Sequence, residues 1–151
     1  MRIAVLAVGR MRGPLDALCA DYGRRLPWPV TVREVAESRP LGTGERIGRE
    51  AELLRKALPK KATVVALDER GATPSSAEFA ARIGVWQDRG VETLAFLIGG
   101  ADGLEPALRD AADFVLAFGR MTWPHLMTRF LLFEQLYRAS TILSGHPYHR
   151  A

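Results

Sequence analysis

The sequence predicts an α/β protein: a mostly parallel sheet with helices on both faces. Two observations carry this. Short, wholly apolar runs recur along the chain: RIAVLAV (2–8), TVVAL (63–67), TLAFLI (93–98) and FVLAF (114–118). Each reads as a strand buried on both sides, which only a covered parallel sheet supplies. Between them lie segments with apolar residues at helical spacing, and that alternation is the mark of βαβ units.

The elements follow in order. After the first strand, Gly13-Pro14 opens a helix with Leu15, Leu18, Cys19, Tyr22 and Leu26 on one face, stopped by Pro27 and Pro29. VTVREV (30–35) reads as a strand with imperfect alternation, and SRPLGTG (38–44) as a loop. The next helix buries Ile47, Ala51, Leu54 and Leu58. Its pairs Glu45/Arg49, Arg46/Glu50 and Glu52/Lys56 are placed i,i+4 on a solvated side. DERGATPS (68–75) reads as a loop. Ser75 with Glu78 forms a capping-box signal for a helix carrying Phe79, Ile83 and Trp86. A short helix is placed at 104–112 and a long one at 124–143.

The chain of 151 residues is long enough for one domain with a full core, expected to span 1–151. No apolar run is long enough to span a bilayer, and the start lacks the cleavage site of a signal peptide. The lone Cys19 reads as a core thiol. These features lead to the expectation of a cytoplasmic protein with no membrane partner. The net charge of +4 and the pI near 9.7 fit a polyanionic partner such as nucleic acid, or a merely basic surface.

Ligands of open parallel sheets bind beyond the carboxyl ends of the strands. The loops after residues 67, 98 and 118 are therefore the places to search. LIGGADGL (97–104) runs a buried strand into Gly99-Gly100, where glycine permits a sharp turn and close approach of backbone. FGRMTWPHLMTRF (118–130) offers Gly119, Met121 and Trp123 as an apolar wall suited to a planar ring or a thioether. His125 sits near the start of the last helix, where the dipole disfavours its charged form. That helix is apolar on nearly two sides, which points to a partner, and a two-fold homodimer is the commonest kind. Arg138 either pairs with Glu134 or faces the site. Dinucleotide and phosphate-loop fingerprints are missing, GTGERIG (42–48) being a near miss. His146 and His149 flank Pro147 with no further ligands close by in sequence, so a metal reading is weak.

IGGADGL, MTWPH, LYRA and a terminal HPYHR occur in that order across essentially the whole chain. In this the sequence resembles the ribosomal large-subunit pseudouridine N3-methyltransferases, a minimal branch of the SPOUT methyltransferases. The resemblance implies a deep trefoil knot in the C-terminal part of the fold, a homodimer, and S-adenosyl-L-methionine as methyl donor, with no metal. It implies donor contacts at Leu67, Gly99, Phe118, Gly119, Arg120, Met121, Thr122 and Trp123. Gly119 stands where the family often has serine. A backbone contact survives that change, but a hydroxyl contact does not. The implied substrate is N3 of a pseudouridine in 23S ribosomal RNA of the assembled ribosome. The candidate catalytic residues are His125, Tyr148 and His149, as base or hydrogen-bonding groups, and Arg138 and Arg150 as cations. The tail is expected to fold over the neighbour's donor loop or to meet the ribosome. The alternative from another class is a non-catalytic basic α/β module that only docks on the ribosome.

Overall fold

Side chains alternate along each strand, and this divides the core into two layers. The computed structural model describes residues 1–150. Its strands are β1 (Arg2–Val8), β2 (Val30–Val35), β3 (Thr63–Ala72), β4 (Thr93–Ile98) and β5 (Phe114–Leu116). They form one parallel sheet in the order β2-β1-β4-β3-β5. The helices are α1 (Pro14–Arg25), α2 (Thr43–Ala57), α3 (Ser76–Asp88), α4 (Pro106–Asp110) and α5 (His125–Ser144).

Ile3, Val5 and Ala7 of β1, with Leu94, Phe96 and Ile98 of β4, face the layer of α1, α3 and α5. Leu6 and Val8 face the opposite layer, where α2 brings Ala51 and Leu54 and α4 brings Leu108. The two central strands are therefore apolar on both faces, as their sequences predict. β2 is an edge strand and largely exposed, which explains its imperfect alternation.

Four details differ from the expectation. β3 runs on through DERGA to Ala72, across a register shift after Leu67. Gly71 makes this possible, because a Cβ there would lie 2.7 Å from the Val115 carbonyl carbon. The Ala117 N–H then donates to the Ala72 carbonyl. On α1, Leu18 points outward, 44% exposed. On α2, Glu50 is buried at 8% exposure rather than solvated, because Gly100 leaves room for its carboxyl: a Cβ on Gly100 would lie 3.3 Å from it. Burial pushes Glu50 above the usual carboxylate range; Arg46 opposes this shift, and the nearby Asp102 carboxylate adds to it. Finally, α4 is shorter than the sequence indicates. The predicted capping box is present in full: Ser75 Oγ accepts from the Glu78 N–H, and Glu78 accepts from the Ser75 N–H.

The path from β5 to α5 positions the site. β5 lies at the sheet edge, yet α5 packs between α1 and α3 and against central β4. Residues 117–124 therefore return across the carboxyl ends of β3 and β4.

Candidate active site

Three strand-end segments meet in one cleft of about 670 Å³. β3 gives Leu67, Asp68, Glu69 and Arg70; the turn after β4 gives Gly99 through Gly103; the return path gives Phe118, Gly119, Met121, Thr122 and Trp123. His125, at the start of α5, closes the wall. Seven of the eight predicted donor contacts thus line one space, and Arg120 alone projects outward into solvent.

Backbone makes the floor. A Cβ on Gly99 would sit 2.5 Å from the Gly103 carbonyl carbon. Gly99 is thus required by the turn itself, whose Gly103 N–H donates to the Gly100 carbonyl. Gly119 takes a φ of +103°, which glycine adopts freely. Two side-chain bonds hold the return segment. Thr122 Oγ1 donates to Glu69 at 2.6 Å across the cleft, and Trp123 Nε1 donates to the Phe118 carbonyl at 3.2 Å. Met121 and Trp123 remain 76% and 43% exposed, apolar surface beside a cleft. The lining carries Asp68, Glu69 and Asp102 against a single cation, Arg70, in a chain whose net charge is +4. Such a cleft suits a cationic ligand.

The tail residues lie elsewhere. Tyr148 Oη donates to Glu134 at 3.1 Å and lies 3.2 Å from the Tyr22 hydroxyl. Arg138 pairs with Glu134, and its Nη1 faces His149 Nδ1 at 3.3 Å. The Arg138 guanidinium also stacks over the Tyr148 ring. His146 Nδ1 accepts the Tyr148 N–H. Arg150 is exposed. Burial, reinforced by Tyr22 and Glu134, pushes the Tyr148 phenol up, so it keeps its proton. Arg138 follows His125 by thirteen residues along α5, roughly 20 Å at the rise of a helix. One chain therefore holds the cleft at one end of α5 and the tail cluster at the other.

Sequence reasoning missed Glu134 as the anchor of the tail, the Glu69–Thr122 bond, and the burial of Arg129. Cys19 is a buried thiol, as expected. Burial pushes it up to about 11, with Arg129 opposing and Asp16 adding, so it is inert. Among the described residues, no three or more His, Cys, Asp or Glu side chains gather as a metal site would need.

The model of a family described as "Predicted SPOUT methyltransferase" matches residues 1–149. The chain belongs to the SPOUT methyltransferases. Two relatives, from Paramagnetospirillum magneticum and Rhodospirillum centenum, carry the name ribosomal RNA large subunit methyltransferase H, and each is 53% identical to this chain. The first similarity covers 99% of both chains and the second 100% of both. Among solved structures, a probable methyltransferase from Bordetella pertussis superposes with a TM-score of 0.60 at 15% identity, over 91% of this chain and 95% of that one. A probable methylase family protein from Haemophilus influenzae gives 0.59 at 12% identity, over 99% of this chain and 70% of that one. These two likenesses establish the fold.

SPOUT methyltransferases take S-adenosylmethionine as donor. The cleft fits it: an acidic lining for its positive charge, an apolar Met121–Trp123 flank for adenine, and glycine backbone for close approach. No helix is long and apolar enough to cross a membrane among the described residues.

Proposed function

We propose that this protein methylates N3 of a pseudouridine in the large-subunit ribosomal RNA of the assembled ribosome, as a homodimer. One observation carries the reading. A cleft built from three strand-end loops, acidic within a basic protein, lies in a chain that shares half its residues end to end with relatives named for methylating that RNA. The basic surface suits the RNA, and the setting is then the cytoplasm.

The bound donor supplies an electrophilic methyl group on a sulfonium. Leu67, Gly99 and the 118–123 segment hold it, and alignment of the methyl with N3 is the largest part of the catalysis available without a metal. As the new carbon–nitrogen bond forms, the methyl's bond to sulfur would break, its electron pair leaving with the neutral thioether, and N3 loses its proton to solvent. The developing negative charge on the imide falls to Arg150 and Arg138, which need no protonation change. Tyr148, its O–H turned from Glu134, donates a hydrogen bond to the base edge, and His125 and His149 add contacts.

The separation along α5 supports the homodimer. A second copy lying antiparallel beside α5 brings its residues 138–150 to the first copy's cleft, and the first returns the same. Leu18 and the half-buried Tyr22, Phe130 and Tyr137 offer the apolar face such a contact needs. The test is transfer of labelled methyl from S-adenosylmethionine to assembled ribosomes and to free ribosomal RNA, with mass mapping. The reading expects one methyl on a pseudouridine of large-subunit RNA, with ribosomes the better substrate. Ribosome binding without donor binding would instead favour the non-catalytic module.

A further inference from the structure

The start of α5 carries His125 and Arg129 four residues apart, hence on one face. Arg129 is the most deeply buried charged side chain among the described residues, 3% exposed. Its Nη1 donates to Glu34 of β2 at 3.1 Å, and its Nη2 to the Gly9 carbonyl beyond β1 at 3.1 Å. The same Glu34 oxygen accepts the Met11 N–H at 2.6 Å. Burial acts to raise the Glu34 carboxyl, but these two donors overcome it and hold it below its ordinary range. Arg129 Nε is buried with no acceptor. A buried guanidinium one bond short is a poor way to fill a core, since apolar side chains often replace buried ion pairs without loss. Gly9 meanwhile touches the cleft wall: a Cβ there would lie 3.2 Å from His125 Nε2.

We infer that Arg129 is a positioning residue for methyl transfer: it ties the first turn of α5 to the ends of β1 and β2, and it fixes a positive charge behind the His125 ring. The inference rests on the cleft's being the donor site.

The charged groups around the ring come from every neighbouring element. Arg129 lies on its own helix. Arg10 follows Gly9, and Glu34 of β2 lies behind Arg129. Asp68, Glu69 and Arg70 after β3, and Asp102 after β4, line the same cleft. Burial first, and Arg129 second, hold His125 below its ordinary value, while the other groups leave no resolved effect on it. The ring is thus neutral where a protonated imidazole would repel a sulfonium. Methyl transfer removes the sulfonium charge, so the neutral ring favours binding of the donor and is indifferent to the demethylated thioether product.

The test uses the full-length protein with Arg129→Met, which removes the charge, and Arg129→Lys, which keeps it. The His125 ring is titrated by NMR. Affinities for S-adenosylmethionine and S-adenosylhomocysteine are measured by calorimetry between about pH 5 and about pH 8. In Arg129→Met, the ring titrates at higher pH than in wild type, and donor affinity falls several-fold further as the pH drops through that point. Arg129→Lys stays near wild type. Affinity for the product shows no such fall, and adding His125→Asn abolishes it for the donor. Should Arg129→Met fail to fold, Glu34→Gln/Arg129→Met removes both charges and carries the same expectation. Equal ring titrations in wild type and charge-free variant overturn the inference, as do equal pH profiles for donor affinity. A wild-type protein that binds no donor at any pH overturns the donor-site reading, and the ring titration still decides the role of Arg129.

Discussion

At the amino end of α5 the cleft is made chiefly of backbone. Tight glycine turns shape it, a single Glu69–Thr122 bond spans it, and its large apolar groups stand open. At the carboxyl end, side chains do the building. Glu134 gathers Arg138 and Tyr148, Tyr137 packs edge-on against the Tyr148 ring, Tyr22 meets its hydroxyl, and His149 faces Arg138. The first region is an open cleft; the second is a set of polar side chains held by one another. The proposed mechanism uses both, and much of the length of α5 separates them within one chain. The contrast argues for a site shared between two copies.

The contrast can be broken most strongly at Gly99. Gly99→Val forces side-chain atoms into the Gly103 backbone, so calorimetry should find S-adenosylmethionine binding lost, while the tail cluster stays intact. The tail comes next. Arg150→Ala, or deletion of 146–151, should lower methylation by about 100- to 1000-fold, the scale of removing one charge-stabilising donor, with donor affinity unchanged. Equal loss of donor binding in that variant would erase the distinction between the regions. Glu134→Gln should loosen the tail without touching the cleft. It should destabilise the protein by about 1–3 kcal/mol in denaturant unfolding, with a larger loss in kcat than in donor affinity. Thr122→Val removes the bond across the cleft and should cost about 1 kcal/mol of donor affinity, roughly fivefold. The smallest effect belongs to Ser75→Ala, which lies in neither region. It should cost about 1 kcal/mol of stability and leave kcat unchanged.

Much of this was legible in the chain. β1 and β4 declare themselves because a strand buried on both faces has no polar position to disguise it. The meeting of three loops in one cleft was legible because strand ends in a parallel sheet are where ligands bind, and Gly99 and Gly119 marked two of those loops. The extension of β3 was not, since DERGA carries the residues of a loop and is held in the sheet by pairing with β5. Arg129 and Glu50 were not either. A charged residue is buried only when distant segments supply its partners or its room, and Gly9, Glu34 and Gly100 are far away in sequence. The tail drew notice for its composition, but its distance from the cleft is set by the rise of α5 and by Glu134, which sequence order does not display.

A shared site is tested most directly by mixing two inactive variants. Gly99→Val spoils the cleft and keeps the tail; deletion of 146–151 spoils the tail and keeps the cleft. Unfolded, mixed and refolded together, random pairing makes half the dimers mixed, each with one intact cleft facing one intact tail, so about a quarter of wild-type methylation should return. If each cleft used its own tail, the mixture would stay as inactive as its parts.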